Sequence, residues 1–355
     1  MFINPKVGGR GRLVVACGVA VLVGGAGLAA AFHLGSSGPS GIAGTTVRLR
    51  ADRFGRLRAF DVYYRDLVQD HAGLVRRWAV RYTSWNGVPR TAYVLLPRWY
   101  SSRRNPSLPL VISPHGRGIE ARDNLHFWGG LPAFGPFMVI SPEGQGRILT
   151  RDSWGWKGQI DDLARMPALL AKKLPWVHVD RRRIYAVGSS MGGQETLLLV
   201  ARHPQMLAGA AALDSATDMR ARYYAFPRLS GGVEIQRLMR EEIGGTPTTA
   251  ARAYKLRSPI DWAAAIARSG VPLHIWWSTR DRIVRNQRDE SGRLYRLVSA
   301  MKPRARLTEY VGEWAHSKEF HASARLPLAL VALDLIRLSE AVPKPDRIDR
   351  MPATG

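Results

Sequence analysis

Cysteine is almost absent from this chain: there is one in 355 residues, Cys17. No disulfide can form within the chain, and a zinc or redox site built on cysteines is excluded. Lysine is also scarce, 8 residues against 44 arginines. Acids number only 28, which leaves a formal charge of +24. No block of five like charges occurs, and the longest basic run is Arg181-Arg182-Arg183. Charge dispersed in this way reads as a solvated, arginine-rich surface. No helix-turn-helix, zinc or RNA-binding signature accompanies it, so nucleic acid is not an expected partner. Internal repeats are absent too. With 46% apolar, 23% charged and 9% aromatic residues, the chain is neither disordered, collagenous nor a coiled coil, and it can bury a large core.

Residues 13–32 are a run of 20 residues without a charge. It follows Lys6, Arg10 and Arg12, with no acid among them, and it contains Ala29-Ala30-Ala31 near its end. This is the layout of a secretory signal, and it is also long enough to cross a bilayer. Residues 1–34 are therefore expected to be a signal peptide or an N-terminal membrane anchor, with the remainder secreted or anchored outside the cytoplasm. Cys17 lies inside this segment. Residues 35–76 read as a Gly/Ser-rich linker and an Arg-rich extension holding one helix and irregular chain.

From residue 77 the pattern changes. Trp78, Val80 and Tyr82 alternate with polar residues, Asn86-Gly87 interrupts, and Ala92, Val94 and Leu96 alternate again. That predicts a β-hairpin with a tight Asn-Gly turn. Short apolar runs follow at 108–113, 137–141, 183–188, 208–213, 272–278 and 307–311. Helix-like stretches lie between them at 121–133, 159–173, 191–203 and 259–269, with a final amphipathic helix at 321–341. Strands alternating with helices predict an α/β domain, residues 77–341, with a mostly parallel sheet flanked by helices. Residues 342–355 read as a loose tail.

The chemistry centres on Gly188-Ser189-Ser190-Met191-Gly192. G-x-S-x-G between a strand and a helix is a nucleophile elbow, in which small residues flank a strained serine. Ser190 is the expected nucleophile. The N–H of Met191 is an expected oxyanion donor. A serine needs a base. Of the histidines after Ser190, His203 ends a helix and His274 lies inside an apolar strand. His316 sits in a loop after a strand and is the expected base, with His321 the second choice. The acid that orients the imidazole is Asp281, at the end of run 272–278, with Asp214, at the end of run 208–213, the alternative. Ser113-Pro114-His115-Gly116-Arg117-Gly118 follows an early strand. The N–H of Arg117 or Gly118 is the expected second oxyanion donor, and His115 is read as a residue that orients this loop. No metal and no cofactor is expected. Trp128, Trp154 and Trp156 read either as packing or as a stacking surface at the site's mouth.

With these residues in hand, the chain resembles the α/β-hydrolase superfamily, and most of all the catalytic domain of the prolyl oligopeptidase family and related esterases. The resemblance covers about residues 77–340. It rests on the 86–87 hairpin, His115-Gly116-Arg117-Gly118, Asp180 through Arg183-Ile184-Tyr185 into the elbow, Ile243-Gly244-Gly245-Thr246-Pro247, Tyr254, Arg257-Ser258-Pro259-Ile260, the stretch 271–284, and His316. It implies the triad Ser190, Asp281, His316. Ser278 stands where the family usually has glycine. The family's peptidases carry a β-propeller before the hydrolase domain, and the roughly 40 residues of linker and extension before the hairpin leave no room for one. That shifts the expected activity from peptidase toward ester hydrolysis. The expected function is an exported serine hydrolase acting on a small-molecule ester or short peptide. A serine peptidase of the prolyl oligopeptidase type and a non-catalytic binding domain of the same fold remain as alternatives. Residues 215–257 are expected to form a small helical cap, with Tyr223, Tyr224 and Phe226 either facing substrate or packing the cap.

Overall fold

The computed structural model describes residues 74–144, 153–321 and 325–336, together with the strand Thr45–Arg48. The expected signal or anchor at 1–34, nearly all of the 35–76 extension and the 342–355 tail lie outside the described residues. Among the described residues no helix is long and apolar enough to cross a membrane.

Among the described residues nine strands form one sheet: β1 (Thr45–Arg48), β2 (Val75–Thr83), β3 (Pro89–Pro97), β4 (Leu108–Ile112), β5 (Met138–Pro142), β6 (Val179–Ser189), β7 (Gly209–Leu213), β8 (Leu273–Ser278) and β9 (Leu307–Gly312). Their order is β1-β9-β8-β7-β6-β4-β5-β3-β2. β3 runs antiparallel to β2 and β5, and the other neighbours pair in parallel. The side-chain period of two splits each strand between two cores. Leu110, Ile112, Ala210, Ala212 and Ile275 pack on one face with Leu197 and Leu294. Val111, Ala211, Leu213 and Trp276 pack on the other with Tyr310 and Leu326. Every residue of β4, β7 and β8 is buried, as a sheet covered on both faces requires.

The helices are shorter than their apolar patterns suggested. Residues 121–133 divide into α1 (Ala121–Asn124), a 3-10 turn (Leu125–Trp128) and α2 (Leu131–Phe134), broken where Gly129 takes a positive φ. Residues 159–173 divide into α3 (Lys157–Ala164) and α4 (Met166–Lys173), because Pro167 is tolerated only in a first turn. Next come α5 (Met191–Arg202), then α6 (Met219–Ala225), α7 (Gly232–Ile243) and α8 (Ala251–Arg257), which form a helical insertion between β7 and β8. After α9 (Ala263–Arg268) comes α10 (Ser291–Ala300), which the sequence reading did not assign. The expected 321–341 helix is also shorter: among its described residues only α11 (Leu326–Ala332) is helical, with Pro327 in its first turn, and residues 333–336 form a turn in which Asp334 takes a positive φ.

Two other expectations are corrected. The hairpin loop spans residues 84–88 and is not a two-residue turn, since Thr83 pairs with Pro89. The Trp85 N–H is drawn onto the Asp162 carboxylate at 3.0 Å, which opens the loop. Within the stretch read as linker and extension, Thr45-Thr46-Val47 joins β9 as an edge strand, in keeping with its β-branched residues.

His274 lies in β8, as its apolar setting implied. Neither ring nitrogen has a partner, and the ring packs on Tyr310 at 5.8 Å. Burial pushes the imidazole down to about 3. The unfolded ring protonates below about 6.5 while the folded ring stays neutral, so stability is full above that pH and falls as the pH drops toward 3. Between pH 7 and 5 this group is expected to cost about 2 kcal/mol. Urea denaturation of the His274→Phe protein at the two pH values should show a dependence smaller by that amount.

Candidate active site

The C-terminal ends of parallel strands are where an α/β sheet builds its site, and the sequence-derived residues converge there. Ser190 joins β6 to α5 with φ 59° and ψ −122°. That backbone conformation costs a non-glycine residue about 1–3 kcal/mol, so the surroundings must hold it. The Ser190 N–H donates to Leu213 O at 2.9 Å, and its carbonyl accepts from Gln194 N–H at 3.0 Å. The flanking glycines permit the turn. A Cβ at Gly188 would stand 2.5 Å from Gly192 O, and one at Gly192 would stand 2.2 Å from Pro114 O. Met191 is the first residue of α5, so its N–H has no acceptor within the helix. Its side chain anchors in the helical insertion, beside Trp154, Met219, Tyr223 and Phe226.

His316 follows β9. Its Nε2 accepts from Ser190 Oγ at 2.9 Å, and its Nδ1–H donates to Asp281 Oδ2 at 2.8 Å. The two contacts set the tautomer together. Asp281 follows β8 and is held by further donors: Ile283 and Val284 N–H reach Oδ1 at 2.8 and 2.9 Å, and Gln287 Nε2 reaches Oδ2 at 3.2 Å. Its side chain is fully buried, while that of His316 is 14% exposed, which leaves the proton-transfer end of the chain open to a substrate. Asp214, the alternative acid, makes no bond to His316. It ends β7 and accepts from Trp314 Nε1 at 2.9 Å, Ser317 N–H at 3.0 Å and Ser278 N–H at 3.1 Å.

Carboxylate oxygens of Asp214 and Asp281 and a ring nitrogen of His316 lie within 4.8 Å of one another. Each oxygen of both carboxylates already accepts from an N–H. That donor set suits a proton path better than a cation.

The 114–118 loop runs beside the elbow. A Cβ built on Gly116 would lie 3.8 Å from Ser190 Cβ. The Gly116–Arg117 peptide is thus the part of the loop next to Ser190, while Gly118 is exposed. His115 is buried, donating from Nδ1 to Gly116 O at 2.9 Å and accepting Gly144 N–H on Nε2 at 3.1 Å. Burial pushes its imidazole down, so a neutral ring orients the loop. The Arg117 guanidinium lies 5.4 Å over the Trp154 ring and pairs with Glu242 of α7 at 3.1 Å. Trp154 Nε1 donates to the same carboxylate. Sequence reasoning missed Glu242: nothing distinguishes it from other helix-surface acids until α7 folds against the loop.

The remaining candidates take structural places. Trp128 is fully buried and donates to Ser113 Oγ at 2.9 Å. Trp154, Tyr223 and Phe226 pack the helical insertion, while Tyr224 is exposed. The Arg257 guanidinium lies 4.7 Å over Trp156. His203 Nε2 bonds Asp161 at 2.9 Å, and His321 packs edge-on against Phe127 at 4.5 Å. Gln287, Trp314, Ser317 and Glu319, all close to the triad in the structure, drew no notice in the sequence. None belongs to a motif, and they serve the site through loop contacts.

No family model and no curated protein sequence matches the chain. Solved structures do. An acylaminoacyl peptidase from Pyrococcus horikoshii aligns over 81% of this chain and 46% of its own, with a TM-score of 0.58 and 14% identity. A puromycin-hydrolyzing peptidase from Mycobacterium tuberculosis aligns over 74% and 39%, with a TM-score of 0.54 and 23% identity. A hyperthermophilic esterase from Pyrobaculum calidifontis aligns over 84% and 93%, with a TM-score of 0.56 and 18% identity. The chain thus spans under half the length of these peptidases and nearly all of the esterase. It has the α/β-hydrolase fold.

Proposed function

We propose that this α/β-hydrolase-fold protein is a serine hydrolase that cleaves a carboxylic ester, or a short peptide or amide, through an acyl-enzyme. The carrying observation is the unbroken path Ser190 Oγ, His316 Nε2, His316 Nδ1, Asp281 Oδ2, with links of 2.9 and 2.8 Å. In the first step Ser190 Oγ attacks the carbonyl carbon while His316 Nε2 takes its proton. Asp281 steadies the imidazolium. The oxyanion rests on the N–H groups of Met191 and Arg117. His316 returns the proton to the leaving alcohol or amine, and a water activated by His316 then releases the acid. Ester hydrolysis is favoured over peptidase action because the esterase matches over nearly its whole length, whereas the acylaminoacyl peptidase has more than half its chain outside the match. The basic start and apolar run at 1–34 support action outside the cytoplasm, secreted or held at the membrane.

One reagent tests both parts. A biotinylated fluorophosphonate should label the purified protein, with the adduct mapping to Ser190. A charged version that does not cross the cytoplasmic membrane should label it in intact cells. Failure of the first arm favours a non-catalytic domain, and failure of the second places the enzyme inside. A panel of p-nitrophenyl esters, acetylated sugars and short peptide anilides then separates esterase from peptidase.

A further inference from the structure

His316 sits in a loop whose two flanks are held by a carboxylate that the proposed chemistry does not use. Asp214 Oδ2 accepts Trp314 Nε1–H at 2.9 Å on one side of His316 and Ser317 N–H at 3.0 Å on the other. Its Oδ1 accepts Ser278 N–H at 3.1 Å at the end of β8, and its own N–H donates to Trp276 O at 2.8 Å. Asp214 is fully buried, with a positive φ of 42°. A single side chain thereby ties the His316 loop to two strand ends. A further strut, Ser189 Oγ to Ser317 Oγ at 2.8 Å, joins the same loop to the elbow.

A second carboxyl group stands behind it. Glu319 is also fully buried, and neither of its oxygens takes a hydrogen bond from a donor of another residue. Its polar neighbour is Asp214. Two carboxylates in a dry site cannot both be ionised, and a hydrogen bond between them needs a proton. Burial and the neighbouring Asp281 push the Asp214 carboxyl up to about 6, but N–H donors on both of its oxygens favour its charged form. Glu319 has none, so the proton belongs on Glu319. Burial and the neighbouring Asp214 charge push the Glu319 carboxyl well above the usual carboxylate range. Besides each other, the charged or titratable groups facing this pair are Asp281 and His316. Arg325 lies over the Trp314 ring at 5.0 Å.

We infer that Asp214 and Glu319 form a one-proton carboxyl pair that positions His316, with charged Asp214 clamping the loop on both sides of the base and neutral Glu319 donating to it. Asp214 is then a positioning residue and Asp281 the acid. The inference rests on the serine-hydrolase reading above.

Three proteins test it: wild type, Asp214→Asn and Glu319→Gln. Each is assayed for kcat and KM on the best ester, and for its rate of fluorophosphonate labelling. Asp214→Asn places an amide NH2 among N–H donors and loosens the loop. It should lower kcat and the labelling rate about 10- to 100-fold while KM stays within about threefold. Glu319→Gln keeps a donor toward Asp214 and should retain kcat within about threefold. It should also remove a pH effect. A buried acid with a raised pKa costs stability increasingly as the pH rises above about 4.5, where its unfolded counterpart ionises. The glutamine cannot titrate, so its melting temperature should exceed wild type at pH 8 by more than at pH 5. A labelled wild type with Asp214→Asn labelled equally fast overturns the positioning role. Glu319→Gln losing as much activity as Asp214→Asn, or keeping the wild-type pH profile of stability, overturns the shared proton. This last arm stands even if Asp214→Asn does not fold. A wild type that is not labelled at all fails the hydrolase reading itself, a distinct outcome.

Discussion

Ser190→Ala should lower kcat on an ester by about 10⁴- to 10⁶-fold, the range seen when a triad nucleophile is removed. The loss is large because, in the proposed mechanism, Ser190 Oγ is the atom that forms the covalent bond, and no neighbouring hydroxyl can take its place. Ser189 Oγ is bonded to Ser317 Oγ at 2.8 Å and lies on the strand side of the turn. Removing one hydroxyl leaves Ser190 N–H on Leu213 O and the path His316–Asp281 intact. The melting temperature is therefore expected to stay within a few degrees of wild type. Steady-state kinetics with a p-nitrophenyl ester, paired with thermal unfolding, checks both statements. Activity within tenfold of wild type in a folded Ser190→Ala protein would falsify the proposed mechanism.

A single methyl group at Gly192 should damage both activity and stability by another route. Its Cβ would lie 2.2 Å from Pro114 O, 2.9 Å from Pro114 C and 3.2 Å from His115 C. These are backbone atoms of the loop that lies against Ser190, so no flexible side chain can swing away. Either α5 or the 114–118 loop must move. Movement of the loop carries the Gly116–Arg117 peptide away from the developing oxyanion. Loss of one such donor costs about 10²- to 10³-fold in kcat, and overpacking costs about 1–3 kcal/mol of stability. Gly192→Ala is expected to show both losses, with a wild-type response of neither kcat nor stability. The readouts are kcat on the same ester and the midpoint of urea unfolding. A protein that folds and turns over normally would show that the loop position does not matter to the chemistry.

Much of this site was legible along the chain because its chemistry depends on local patterns. The elbow announces itself through glycines on both sides of Ser190, which a strained strand-to-helix turn demands within five residues. His316 was legible because few histidines follow Ser190, and His203 and His274 have local explanations, a helix end and an apolar strand. The parallel sheet was legible because strands covered on both faces must be apolar throughout. Helix lengths were less so, since Pro167 and Gly129 break helices that apolar spacing alone would continue. Asp214 and Asp281 both end strands of the same sheet, so strand position alone left Asp214 open as the alternative to the preferred Asp281. The distances separate them, because only Asp281 reaches the imidazole.

By itself the sequence determined the fold class and singled out the candidate nucleophile and candidate base, in the order in which they occur. Each of these depends on residues close together in the chain or on a period shared by whole strands. Tertiary structure separated Asp281, the acid the sequence preferred, from its alternative Asp214. It also decided that Glu242 and Trp154 hold Arg117, that the loop beside Ser190 approaches through Gly116, and that Asp214 and Glu319 lie together behind the base. These are contacts between side chains whose partners lie elsewhere in the fold, such as Asp214 and Trp314, 100 residues apart. A buried carboxylate is defined by the donors that surround it, and those donors are assembled only when the strand ends come together.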